Sequence, residues 1–195
     1  DILGRAYKIF LSKAGKIDNK NIILTPDHIK SLMVDLARLN LDDVVLDTCT
    51  GSGGFLMESM ETMIALAQNN SDIIKRIKEH QLIGFEIDPT LLFLHGDGRT
   101  NLIFESSLVS NESDIFKAIR TLKPNKCIIN PPYENNNPIL FTKQALDYLE
   151  PNGKLIIIMP TPTLNRNVGG LTEEILKTAK LDFVIKMPNK LFSEQ

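Results

Sequence analysis

Residues 44–55 read VVLDTCTGSGGF. Val44, Val45 and Leu46 have the composition of a short buried strand, and Phe55 to Ala67 continue with the character of a helix. Between them Gly51, Gly53 and Gly54 permit tight turns and let a ligand approach the backbone closely, with a helix N-terminus immediately downstream. The unit is therefore strand, glycine loop and helix. It is not a Walker-type phosphate loop, since no Lys-Ser/Thr pair follows, and it is not the dinucleotide GxGxxG, since Leu56 occupies the third glycine position.

Working outward, Ile29, Leu32, Met33, Leu36 and Leu39 recur at helical spacing, predicting a helix near 27–39 with Thr25 as N-cap and Pro26 in its first turn. Downstream, IIKRIKEH reads as helix and leads into a strand at 82–85 that ends in Glu86-Ile87-Asp88. Further strands are predicted at 93–95, 126–129, 154–159 and 183–186. Strands alternating with helices imply an α/β fold, a mostly parallel sheet with helices on both faces. Its order is expected to reverse beside the first and fourth strands, which would bring the motifs together at one end. A strand at 93–95 follows 82–85 too closely for a parallel crossover, so residues are expected to be missing between Thr90 and Phe93, and also between Glu134 and Pro138. Asn135-Asn136-Asn137 reads as a polar loop.

At 195 residues, with 43% hydrophobic content, one domain with a substantial core is expected. Because the chain begins on Asp1, it is expected to be a fragment of a longer one. Its 22 basic and 24 acidic residues give a net charge of -2, so no global electrostatic signature of a nucleic-acid binder is present. Two cysteines, Cys49 and Cys127, and three histidines show no metal-ligand spacing, and no disulfide framework is expected. No apolar run approaches the ~20 residues of a membrane helix, and a cytoplasmic location is expected.

A second stretch, CIINPPY at 127–133, asks for an explanation, because proline cannot donate to a sheet ladder. Asn130, Pro131 and Pro132 make a rigid corner at a strand end, followed by Tyr133. Glu86 also ends a strand, where a carboxylate can accept the hydroxyls of a ribose. Asp97, in His95-Gly96-Asp97-Gly98, is a candidate acceptor for an adenine amino group, and Asp47 can attract a positive ligand or brace the loop.

Taken in order, LTPDHI, LDTCTGSGGF, GFEIDP, HGDG and INPPY resemble the motif series of class I S-adenosylmethionine-dependent adenine-N6 DNA methyltransferases. Within them, the similarity is to the modification subunit of type I restriction-modification systems. It extends over nearly the whole chain, so that residues 1–195 form a methyltransferase catalytic domain whose first 24 residues are a helical lead-in from a preceding domain. The resemblance implies a Rossmann-like fold, truncated before its last strand, with S-adenosylmethionine as cofactor and no metal. It places Thr25 and Pro26 around the methionine end of the cofactor, and Asp47, Thr48, Gly51, Ser52, Gly53, Gly54 and Phe55 along it. Glu86 goes to its ribose and Asp97 to its adenine, and Asn130 also borders it.

Asn130 and the Pro131 carbonyl would accept the two hydrogens of the target amino group, with Pro132 fixing the corner and Tyr133 stacking on an adenine flipped out of double-stranded DNA. The implied partners are a specificity subunit and a restriction subunit. Two alternatives are a glutamine-N5 protein methyltransferase, which uses a similar Asn-Pro-Pro-Tyr strand end, and a noncatalytic scaffold that retains the fold.

Overall fold

The computed structural model describes residues 25–88, 101–166 and 168–188. Strands β1 (Val45–Asp47), β2 (Leu82–Phe85), β3 (Asn101–Ile103), β4 (Lys126–Ile129) and β5 (Lys154–Ile157) form one sheet in the order β3-β2-β1-β4-β5. Every pairing is parallel. The central strands read as continuous apolar runs because both their faces are covered. Val45, Leu82 and Ile128 enter one core, while Leu46, Ile83, Cys127 and Ile129 enter the other.

Three helices cover the first face: α1 (Asp27–Ala37), α2 (Gly54–Leu66) and α3 (Ser71–His80). They bury Ile29, Val34, Leu56, Met63 and Ile77. On the second face α4 (Asp114–Thr121) contributes Ile119, and α5 (Asn137–Tyr148) contributes Phe141, Ala145 and Tyr148. The Tyr148 ring lies 4.9 Å from Phe116 and 5.6 Å from Phe85, and its hydroxyl donates to the Ser107 carbonyl at 3.0 Å, so a buried polar group is satisfied inside an aromatic cluster. A final helix, α6 (Leu171–Thr178), buries no residue. No helix among the described residues is long and apolar enough to cross a membrane.

The sheet order reverses between β1 and β4, as the alternation of elements predicts. The strand expected at 93–95 and the gap expected between Thr90 and Phe93 lie outside the described residues; the strand that pairs with β2 is Asn101–Ile103. Residues 134–138, where a gap is expected, run as a turn in which the Asn137 N–H donates to the Glu134 carbonyl at 3.1 Å, and Asn137 opens α5 instead of ending a polar loop.

No strand forms at 183–186. Phe183, Val184 and Ile185 are exposed there, because strand-like composition makes a strand only beside a neighbour that completes its ladder. Lastly, Thr25 does not cap α1. The N-cap is Pro26, whose carbonyl accepts from Ile29 and Lys30, and the Thr25 hydroxyl is engaged elsewhere.

Gly84, in the middle of β2, shows how tightly sheet and loop are packed. A methyl group added there would sit 2.6 Å from Thr50 Oγ1 and 2.8 Å from Leu56 and Leu102. Gly84→Ala is expected to destabilise the protein by about 1–3 kcal/mol through overpacking. Urea unfolding checks this, and an unchanged midpoint would show that the neighbours yield freely.

Candidate functional site

The β1–β4 pairing positions the site. Val45 is in register with Lys126 and Leu46 with Cys127, so the chain leaves both strands at the same end of the sheet. The glycine loop emerges from β1, and Asn130 to Tyr133 emerge from β4. Open parallel sheets collect ligands at this place, where the strand order reverses.

Hydrogen bonds to β1, to β2 and within the loop itself shape it. The Thr50 hydroxyl donates to the Asp47 carbonyl at 3.1 Å, and the Thr50 N–H donates to the Phe85 carbonyl at 2.8 Å, tying the loop to β2. Gly53 N–H donates to the Thr50 carbonyl at 2.8 Å. Gly51 and Gly53 have φ of +54° and +75°, left-handed values that disfavour any side chain, and Gly53 is the N-cap of α2. Glu86 holds the outer side: one carboxylate oxygen accepts from the Gly51 N–H at 2.7 Å and the other from the Asp88 N–H at 2.8 Å.

Three side-chain oxygens at this end of the sheet are buried without a hydrogen-bond partner: Asp47 Oδ2, Thr48 Oγ1 and Asn130 Oδ1. Such atoms cost free energy unless something satisfies them, and together they mark a place prepared for a polar ligand. The Asp47 carboxyl is fully enclosed. Burial is the main cause that lifts its pKa to about 7; the Glu86 charge raises it further, and hydrogen bonds from Cys49 oppose the shift. Burial, with Asp47 and Cys127 beside it, holds the Cys49 thiol well above its usual range, so it stays protonated and is no nucleophile. Tyr133 is pushed up to about 12, mostly by burial, and keeps its phenolic proton. Among the described residues, no three His, Cys, Asp or Glu side chains are grouped to hold a metal ion.

Most of the predicted residues meet here. Thr25 and Asn130 are bonded, Glu86 meets Gly51, and Asp47 and Thr48 lie between the loop and β4. Pro131 is buried, while Pro132 is exposed and Tyr133 half-buried. Phe55 is turned into the first core, so its side chain serves packing. Asp97 lies outside the described residues.

Cys49, which has no visible base in the sequence, has the Asn130 backbone N–H directed toward it, and sequence reasoning passed over the exposed apolar residues Ile87 and Phe104 at the neighbouring ends of β2 and β3. The signal for the last two was available: large apolar residues directly after buried strands, at the end of the sheet that carries the loop.

A sequence model for the family described as N-6 DNA methylase matches residues 1–136. The chain belongs to the N-6 DNA methylase family. Among its relatives is the Type II restriction enzyme and methyltransferase RM.BcgI of Heyndrickxia coagulans, 35% identical over 211 residues, a match that takes in 98% of this chain and 32% of that protein. The methylase subunit of the Type I restriction enzyme MjaVIII of Methanocaldococcus jannaschii is 27% identical over 145 residues, covering 70% of this chain and 24% of that one. This N-6 DNA methylase chain thus spans about a third or less of the relatives' lengths.

In fold it is similar to a chain from a type I R-M system, with TM-score 0.66, 20% identity and coverage of 90% of this chain and 39% of that one. It is also similar to the EcoKI M protein, with TM-score 0.61, 19% identity and coverage of 78% and 36%. The architecture is therefore that of the Rossmann-like methyltransferases.

The buried Asp47 carboxyl makes the stability of the unliganded protein depend on pH. Its folded pKa of about 7 exceeds the ordinary 3.8, so the folded state binds this proton more tightly than the unfolded chain does. Stability from this group is fully present at low pH and is lost as pH rises from about 4 to about 7. Asp47→Asn is expected to flatten that dependence; urea midpoints compared at about pH 5 and about pH 8 measure it, and an equally steep fall in the variant would trace it to another group.

Proposed function

We propose that this chain carries the catalytic site of an enzyme that transfers a methyl group from S-adenosylmethionine to N6 of adenine in DNA, as the modification part of a restriction-modification system. One observation supports it above all. A buried, unpartnered Asn130 oxygen stands at the end of β4, beside a glycine loop that carries two further unpartnered oxygens.

The residues present fit the cofactor. The Asp47 carboxylate can take an ammonium group, the loop backbone at Gly51 to Gly53 leaves room for close approach, and Glu86 is placed for ribose hydroxyls. Ile87 and Phe104 offer apolar surface to a flat ring at adjacent strand ends. When bound, S-adenosylmethionine supplies an electrophilic methyl group on a sulfonium.

What remains for the protein is the nucleophile. An adenine amino nitrogen is weakly reactive because its lone pair is delocalised into the ring. Asn130 Oδ1 and the Pro131 carbonyl, accepting the two amino hydrogens, favour the geometry in which that lone pair is localised and aimed. The prolines hold the carbonyl in place, and Tyr133, a neutral phenol, can stack on the extruded base in place of neighbours worth about 1–3 kcal/mol. No strong base is required, since the nitrogen can lose its proton after the transfer.

The type I reading makes this chain part of a modification subunit that works with a specificity subunit and a restriction subunit. A second reading has an observation of its own. At 35% identity, the relationship to RM.BcgI, named as both restriction enzyme and methyltransferase, supports a chain that combines the two activities. Under either reading, sequence recognition needs side chains aimed at base edges. With a net charge of -2 and no Lys/Arg run, this chain offers little such surface. The full-length protein without a specificity partner is expected to bind S-adenosylmethionine yet show no site-specific methylation; robust site-specific modification by it alone would overturn the division of labour.

The assignment of roles is tested by two substitutions in the full-length protein with its partner. Asn130→Ala is expected to abolish transfer of labelled methyl groups to DNA while leaving cofactor affinity nearly intact. Gly53→Val is expected to weaken cofactor binding, since it places a branched side chain at φ +75° where the backbone must be approached. Equal losses of affinity in both variants would show the roles to be misassigned.

A further inference from the structure

We propose that Thr25 is a positioning residue for Asn130: its hydroxyl oxygen holds the carboxamide by its nitrogen, so that Oδ1 is the atom turned toward the substrate. This inference rests on the function proposed above and assigns Thr25 a role distinct from cofactor contact. Thr25 stands just before α1, where a threonine would ordinarily cap the helix. It does not do so. The cap position is filled by Pro26, and Thr25 Oγ1 accepts a hydrogen bond from Asn130 Nδ2 at 2.9 Å, across 105 residues of sequence. The other end of the same carboxamide, Oδ1, is buried and has no partner.

A carboxamide can turn over about its last side-chain torsion, exchanging oxygen and nitrogen at almost no change in shape. The chemistry of the two orientations is opposite. With Oδ1 forward the group accepts an amino hydrogen, and with Nδ2 forward it presents donors to a donor. The backbone of Asn130 is already directed, its N–H aimed at the Cys49 sulfur. The side-chain torsions remain, and the bond to Thr25 restrains them: a hydroxyl can donate or accept, and here Oγ1 accepts from Nδ2, which leaves Oδ1 as the end turned away from Thr25. Thr25 arrives with α1, whose Ile29, Met33 and Val34 are packed in the first core, so the hold is anchored in the fold.

The test uses the full-length protein with its partner and DNA, comparing wild type with Thr25→Val and Thr25→Ser. The valine variant keeps the volume and loses the oxygen; serine restores the oxygen. The expected result is a fall in the methyl-transfer rate constant of about tenfold in Thr25→Val, recovered in Thr25→Ser, with the dissociation constant for S-adenosylmethionine unchanged in both. A weakened cofactor affinity with an unchanged rate constant would overturn the inference, placing the hydroxyl on the cofactor. An unchanged rate and affinity, with only thermal stability altered, would also overturn it. If the wild-type complex methylates no adenine, the functional reading fails and this inference fails with it; an active wild type with an unaffected valine variant removes the inference alone.

Discussion

The parallel pairing of β1 with β4 is the constraint on which the site depends. These strands are far apart in sequence, from Asp47 at the end of one to Lys126 at the start of the other, and adjacency in register delivers their carboxyl ends to one place. On β1 that end carries the glycine loop, and on β4 it carries Asn130-Pro131-Pro132-Tyr133. The pairing is enforced from both faces of the sheet: Ile128 and Val45 are held in one core, Leu46, Cys127 and Ile129 in the other. A slip of one residue would exchange these faces and reverse every burial choice.

Against that rigid base, the strand ends carry groups that the fold leaves unsatisfied. Asp47, Thr48 and Asn130 each bury an oxygen with no partner at the end of the sheet that carries the loop, whereas other unpartnered atoms, such as Ser59 Oγ, Gln81 Oε1 and Ser107 Oγ, lie on separate elements. Destabilising arrangements of this kind persist where a ligand completes them. Beside the loop, three such oxygens are carried by two neighbouring strand ends.

How much of this was legible in the sequence follows the strength of each physical signal. The β1 loop unit, α1, β2 and β4 announce themselves through long apolar patterns punctuated by glycine and proline. Asn101-Leu102-Ile103 did not, because three residues carry no periodicity and the pairing with β2 that makes them a strand is tertiary. The same reason, inverted, explains Phe183-Val184-Ile185, which has the composition of a strand and lacks a ladder neighbour. At the site, residue types at strand ends pointed to Asp47, Glu86 and Asn130. The partner of Thr25 was not readable: a threonine before a helix is a cap by local rules, and only the fold brings Asn130 within 2.9 Å.

Glu86 illustrates a further property. Both of its carboxylate oxygens already accept a backbone N–H, from Gly51 and from Asp88, and each oxygen retains a second lone pair. The side chain is thus immobilised before any ligand arrives. A diol binding to those free lone pairs meets a group whose rotamers have been frozen by folding, so the conformational entropy of ordering a glutamate, typically about 0.5–1.5 kcal/mol, is not charged to association. Under the proposed role of Glu86, the folding of the glycine loop and the affinity for a sugar would be coupled through one carboxylate.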